Sequence, residues 1–219
     1  MNSKFTKWSV VSAAVLLMGS AALAQDTTTP STTTTTPSTT PAPAPKPTVK
    51  QRKENQQDRI ANGVKSGQLT AGETSNLETK EAAINGETRA DRAANGGKLT
   101  QAEKQQINGQ QNQLSKQIYN DKHNANTAQY GNNKVGQRKE NQQDRIANGI
   151  KSGQLTAGES AKLENQQKGI NQQVKADRAA NGGKLTPGEK QQVNKEQNAD
   201  SKNIYNKKHN AHTQPQAKK

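Results

Sequence analysis

Large apolar side chains recur along this chain at helical intervals. Ile60 and Val64 are four residues apart, Leu77 and Ile84 seven apart, and Ile107 and Ile118 eleven apart, so each pair shares one face of a helix. The stripes are narrow, with polar residues filling the positions between them. This pattern predicts helices over 50–65, 70–94 and 100–123, and again over 136–151, 156–180 and 186–209.

The junctions between these segments carry a recurring signal. SGQLTAGE at 66–73 returns unchanged at 152–159, and the shortened relatives GGKLTQAE and GGKLTPGE end at Glu103 and Glu189. In each, a threonine stands three residues before a glutamate: Thr70 and Glu73, Thr100 and Glu103, Thr156 and Glu159, Thr186 and Glu189. That is the spacing of a capping box, in which the hydroxyl accepts from the third helical amide and the carboxylate accepts from the amide of the cap itself. Pro187 follows Thr186 at the first helical position, where a missing N–H costs nothing. Gly67 and Gly96–Gly97, just upstream, suit the left-handed ending of a preceding helix. The motif reads as a stop-and-restart signal between helices.

The chain also contains a duplication with an offset of 86 residues. QRKENQQDRIANG at 51–63 reappears at 137–149, ADRAANGGKLT at 90–100 at 176–186, and KHNA at 122–125 at 208–211. Apolar character persists where Val64 pairs with Ile150, Leu77 with Leu163, Ile84 with Ile170, Ile107 with Val193 and Ile118 with Ile204. It fails where Leu114 pairs with Asp200, so Leu114 is excluded from the expected shared core. The fold class expected is all-α, with two tandem copies of a three-helix unit at 49–130 and 135–214. A linker at 131–134 ends the Gly- and Asn-bearing stretch TAQYGNNK, and a basic tail follows at 215–219.

Composition qualifies this picture. Only 27% of residues are hydrophobic and 2% aromatic, so the core is expected to be marginal. There is no cysteine, which removes disulfides, thiolate metal sites and cysteine nucleophiles. At the start, Lys4 and Lys7 precede a short apolar run that ends in Ala22-Leu23-Ala24, the pattern of a signal peptide at 1–24. The run is too short to span a bilayer and no later segment is apolar enough, so an exported periplasmic or extracellular protein without a transmembrane anchor is expected. Residues 25–48, rich in Thr and Pro, read as a disordered linker in extended conformation, with a glycosylated stalk as the alternative.

The formal net charge is +14, but it is spread along the chain. Residues 49–130 hold 12 Lys/Arg against 9 Asp/Glu, and residues 135–214 hold 14 against 8. Charges of both signs alternate on the expected helix faces, as in Glu78-Lys80-Glu81 and Asp91-Arg92, a pattern that ordinarily means solvated ion pairs. The basic residues placed together are Arg52, Lys53 and Arg59 with their counterparts Arg138, Lys139 and Arg145, joined by Lys207, Lys208, Lys218 and Lys219. Such groups neutralise phosphates, sulfates or anionic glycans through salt-sensitive contacts. Near-absence of aromatics argues against sequence-specific or single-strand nucleic-acid binding. His209 and His212 form an i, i+3 pair with no third ligand nearby, so the histidines are expected to serve helix C-termini and no metal site is assigned. No nucleophile, zinc or phosphate-loop motif occurs, so the protein is expected to be no enzyme and to need no cofactor.

NGVKSGQLTAGE, residues 62–73, resembles an EF-hand loop in the placing of Gly67, Leu69 and Glu73, although Val64 stands where an oxygen ligand is usual and no aspartate is present. As a whole, residues 49–214 are similar to uncharacterised exported bacterial repeat proteins carrying the QQDRI, SGQLT and NGGKLT strings; that resemblance implies no activity. Three functions follow in order: weak association with polyanions such as anionic envelope glycans, a hydrophilin-like protective or spacer role, and weak calcium binding. The oligomeric state is not specified by these patterns.

Overall fold

The computed structural model describes residues 46–215. The expected signal peptide, all of the Thr/Pro linker before Lys46, and Lys218 and Lys219 lie outside the described residues. Among the described residues six α-helices follow one another: α1 Val49–Lys65, α2 Ala71–Ala94, α3 Gln101–Lys122, α4 Lys134–Lys151, α5 Ala157–Ala180 and α6 Pro187–Lys208. No strand occurs among the described residues. The chain is all-α, and each helix lies where the apolar spacing placed it to within two residues at either end.

All four Thr–Glu pairs form reciprocal caps. The Thr70 amide donates to Glu73 at 2.9 Å while the Glu73 amide donates to the Thr70 hydroxyl at 3.3 Å. The corresponding pairs of distances are 2.7 and 3.3 Å at Thr100, 3.1 and 3.4 Å at Thr156, and 2.7 and 3.3 Å at Thr186. Thr48 and Gln51 make a further box at the start of α1. Asn133 caps α4 by accepting from the Val135 and Gly136 amides. At the end of α2, Gly96 and Gly97 adopt φ of +59° and +89°, and the Gly97 amide reaches back to the Arg92 carbonyl at 2.7 Å, closing a Schellman turn that a side chain would strain.

The two copies build one body. α3 packs on α1 and α2, and α6 on α4 and α5, while the copies join through α1 against α4 and α2 against α5. One apolar cluster runs through both, from Ile60, Leu77, Ile107 and Ile118 to Ile146, Ile150, Leu163 and Ile204. The join has the form of a local two-fold axis. Ser75 donates to the carbonyl of Ala161, its own counterpart 86 residues on, at 3.0 Å. Gly72 faces the stem of Lys168 on α5, and Gly158 faces Ala82 on α2, so each contact is returned by its equivalents, as in an isologous dimer.

Apolar side chains fill only part of the interior, and glutamines fill much of the rest. Gln56 donates to the Gln111 carbonyl at 2.7 Å and to Ser115 at 2.9 Å; Gln142 does the same to Gln197 and Ser201 at 2.7 and 2.8 Å. Gln111 and Gln197 in turn donate to the carbonyls of Val49 and Val135, each at 3.0 Å. A buried amide with its donors used is tolerated where an unpaired one is costly, so these contacts fix the register of the first helix on the third.

Leu114 belongs to the core, contrary to its expected exclusion from the shared core. Leu114 is 2% exposed and Asp200 equally 2%, so the position is interior in both copies. The second copy compensates: Gln167, which replaces Glu81, donates to the Asp200 carboxylate. Burial nevertheless pushes Asp200 up to about 6, against the opposing Gln167 bond. A leucine and a buried acid in one copy have become an acid and a buried amide in the other.

Two substitutions measure the separate contributions of cap and core. Replacing Thr156 by Ala is expected to lower stability by about 1 kcal/mol through loss of the cap. Leu155→Ala, at a fully buried site, is expected to cost about 2–5 kcal/mol. Urea-midpoint shifts of the two variants check both the sizes and their order.

Candidate anion-binding groove

The basic residues picked out by sequence turn inward. Arg52 donates to Asn112 at 2.6 Å and Arg138 to Asn198 at 2.8 Å. Arg59 donates to the Ser115 carbonyl at 2.8 Å and Arg145 to that of Ser201 at 3.0 Å. All four are half-buried and staple the first helix of a copy to its third. Lys53 is held below the ordinary lysine range by burial, with Glu81 and Glu78 opposing. Lys207 lies 3.9 Å from Glu159, and burial also lowers Lys208. Of the set, among the described residues, Lys139 lines the groove described below.

The SGQLT loop is likewise occupied. One oxygen of Glu73 takes the Thr70 amide and hydroxyl; the other takes Asn124 and Asn126 at 2.8 and 3.2 Å. Burial raises Glu73, but those donors outweigh it and hold the carboxyl below its usual range. Glu159 is used in the same way by Thr156 and Asn210. The carboxylate that would grip a calcium ion with both oxygens therefore already grips the protein, tying the segment after the third helix to the loop before the second. His123 and His209 sit at the C-terminal caps of α3 and α6, each with Nδ1 2.7 Å from a tyrosine carbonyl.

That tied segment forms one wall of an open groove of about 660 Å³, whose other walls are α4, α5 and the start of α2. The Ala128 amide anchors the wall by donating to the Gly67 carbonyl at 2.8 Å. Gly136 lets α4 pass beneath it, because a Cβ there would come within 1.9 Å of the Tyr130 carbonyl. Lys168, Lys175 and Arg178 line the groove from α5 and Lys139 from α4. Spacings of seven and three residues keep the α5 cations on one face, extended over roughly 15 Å of helix. Between them lie Tyr130, Ile170 and Val174 and several amides, and among the described residues no carboxylate contributes to the lining. Among the described residues, Lys168, Lys175 and Arg178 make no ion pair. Lys139 donates to the Gln129 carbonyl at 3.0 Å and lies 5.1 Å from the Tyr130 ring centre. Burial first, and Arg178 second, hold Lys139 below its usual range.

Directly behind the groove lie buried acids. Glu78 and Glu164, equivalent residues on α2 and α5, are both fully buried at the join of the copies. Gln57 donates to one oxygen of Glu78 at 3.1 Å and Gln143 to one oxygen of Glu164 at 2.9 Å; among the described residues the second oxygen of each has no partner. Burial pushes Glu164 up to about 8 and Glu81 up to about 7, and pushes Glu78 well above the carboxylate range. The expectation that Glu78-Lys80-Glu81 is a solvated ion-pair run is overturned: both glutamates are fully buried while Lys80 is exposed. The signal was present, because Glu81 lies four residues after Leu77 and three before Ile84, on the apolar stripe itself. Lys168, Lys175 and Arg178 gave no such signal, since their convergence with Lys139 depends on how the copies pack.

These acids invert the usual dependence of stability on pH. An unfolded glutamate loses its proton near the ordinary 4.5, whereas folded Glu164 keeps its proton up to about 8. Between those values the folded state holds the extra proton, so its stability is fullest below the lower value and declines as pH rises through the upper one. Glu164→Gln, which keeps the neutral shape, is expected to match wild type at about pH 4 and to melt roughly 5 °C or more higher at about pH 9, as read by circular dichroism. No family model matches this chain, and neither a curated protein nor a solved structure matches it.

Proposed function

We propose that this protein is an exported, non-enzymatic binder of polyanions, acting at the cell envelope through the groove between α4 and α5. The observation that supports this reading is charge asymmetry: four cations line the groove, no carboxylate does, and three of the cations make no ion pair among the described residues. Cations left without protein partners and aligned over roughly 15 Å favour an extended anionic polymer over a single small anion. The amides and aliphatic floor between them suit the hydroxyls and C–H faces of an acidic glycan. A single-stranded nucleic acid would ask for stacking surfaces, and the one ring here, Tyr130, is half-buried beneath Lys139.

Titration with dextran sulfate tests the reading. Wild type is expected to bind with a salt dependence near a slope of roughly 3 for four neutralised charges. The K168Q/K175Q/R178Q variant, which keeps the aliphatic stems, is expected to lose at least about tenfold in affinity and most of that slope. The K184Q/K190Q/K195Q variant, with three exposed lysines removed elsewhere, is expected to bind nearly as wild type does. Equal losses in the two variants, or no binding at low salt, would refute the assignment.

A further inference from the structure

The groove and the buried acid behind it share two residues. Gln143 lines the groove and donates to Glu164 at 2.9 Å; Lys139 lines the groove one turn earlier on the same face of α4, where its charge favours ionisation of Glu164. Resting on the polyanion reading, we propose that the groove is proton-gated: neutral Glu164 leaves Lys139 available to an incoming polyanion, and ionised Glu164 claims Lys139 and weakens binding.

The surroundings of Glu164 make it the gate. Around it stand Lys139 and Gln143 from α4, Asp200 from α6 and, across the join, Glu78 from α2. Tyr130, on the wall of the groove, also feels it, and burial pushes that phenol further up, so the tyrosine stays neutral over the working range. Asp200 and Glu78 oppose ionisation of Glu164, while Lys139 is the one cation that favours it. Lys53, the counterpart of Lys139, performs that service for Glu78 and Glu81 on the far side of the join, away from the groove. A negative charge formed on Glu164 would therefore find its compensation in Lys139, a cation the groove would otherwise offer to the ligand. The same charge would repel the polymer through the thin wall that Gln143 forms. Because burial sets the transition of Glu164 near 8, the switch falls between neutral and mildly alkaline conditions.

Coupling of this kind is reciprocal. If the proton strengthens binding, the polymer must strengthen the hold on the proton, so binding near the transition must draw a proton from the buffer.

Dextran sulfate is the appropriate probe, since its sulfate esters stay ionised throughout and any pH effect belongs to the protein. At fixed salt, wild type is expected to bind about fivefold or more tightly at about pH 6 than at about pH 9. Calorimetry near pH 8 in buffers of different ionisation heat should register net proton uptake. Glu164→Gln should bind equally at both pH values, at the wild-type acid affinity, without proton uptake. Glu78→Gln, which also relieves a buried acid but does not touch the groove, should keep the weakening at high pH; if it abolishes the effect as Glu164→Gln does, fold stability and not gating is at work and the proposal fails. Binding by wild type that ignores pH, or pH dependence that survives in Glu164→Gln, would overturn the gate while leaving the groove reading intact. Absence of binding at either pH would overturn both.

Discussion

A carboxylic acid sealed inside a protein with an amide for its main partner gives up its proton only at a cost to the fold around it. Glu78 and Glu164 are in that position, equivalent residues at the place where α2 meets α5, each with one oxygen bonded to a glutamine and the other without a partner among the described residues. The rest of the architecture depends on this constraint. The copies close most stably while the acids are neutral, because ionised carboxylates across a dry join would repel each other with little solvent to screen them. Lys53 and Lys139 stand near enough to temper the cost, but both are themselves held below their usual range by burial.

A chain short of aromatic and aliphatic residues has found another way to fill its interior. Gln56, Gln111, Gln142 and Gln197 serve as buried spacers whose amide hydrogens are bonded to backbone carbonyls or serines, so their bulk excludes water without leaving donors stranded. Arg52, Arg59, Arg138 and Arg145 work alongside them, which is why residues that look like a basic patch in the sequence are mainly staples. The groove-lining cations without an ion pair among the described residues are found elsewhere, on α5, where Lys168 stands in place of the Ala82 of the first copy. Duplication supplied the symmetric frame, and the difference between Ala82 and Lys168 adds a cation to the α5 face.

Local features were legible in the sequence because their physics is local. A capping box needs only four consecutive residues, so Thr70, Thr100, Thr156 and Thr186 could be placed before any tertiary contact was known, and the helix ends followed. Thr48 escaped notice because a glutamine, Gln51, takes the place of the usual glutamate. Leu114 was misjudged because replacement by Asp200 looked like proof of exposure, whereas the second copy had moved a buried acid from α5 to α6 and left Gln167 to partner it. Glu78 and Glu81 were misread for a related reason: charge alternation along a helix usually marks a wet face, and only the packing of α2 on α5 makes this one dry. The groove was illegible altogether, since Lys139 and Lys168 come from different helices and meet through the close pass at Gly136 and the strap ending at Tyr130.

The claim on which the account stands is that acids at the join of the copies are neutral at neutral pH. Carboxyl carbon resonances of Glu164, followed by nuclear magnetic resonance across a pH titration of the folded protein, test it directly. The account predicts a midpoint at about 8 for Glu164; a midpoint at the ordinary 4.5, with the helices intact, would contradict it.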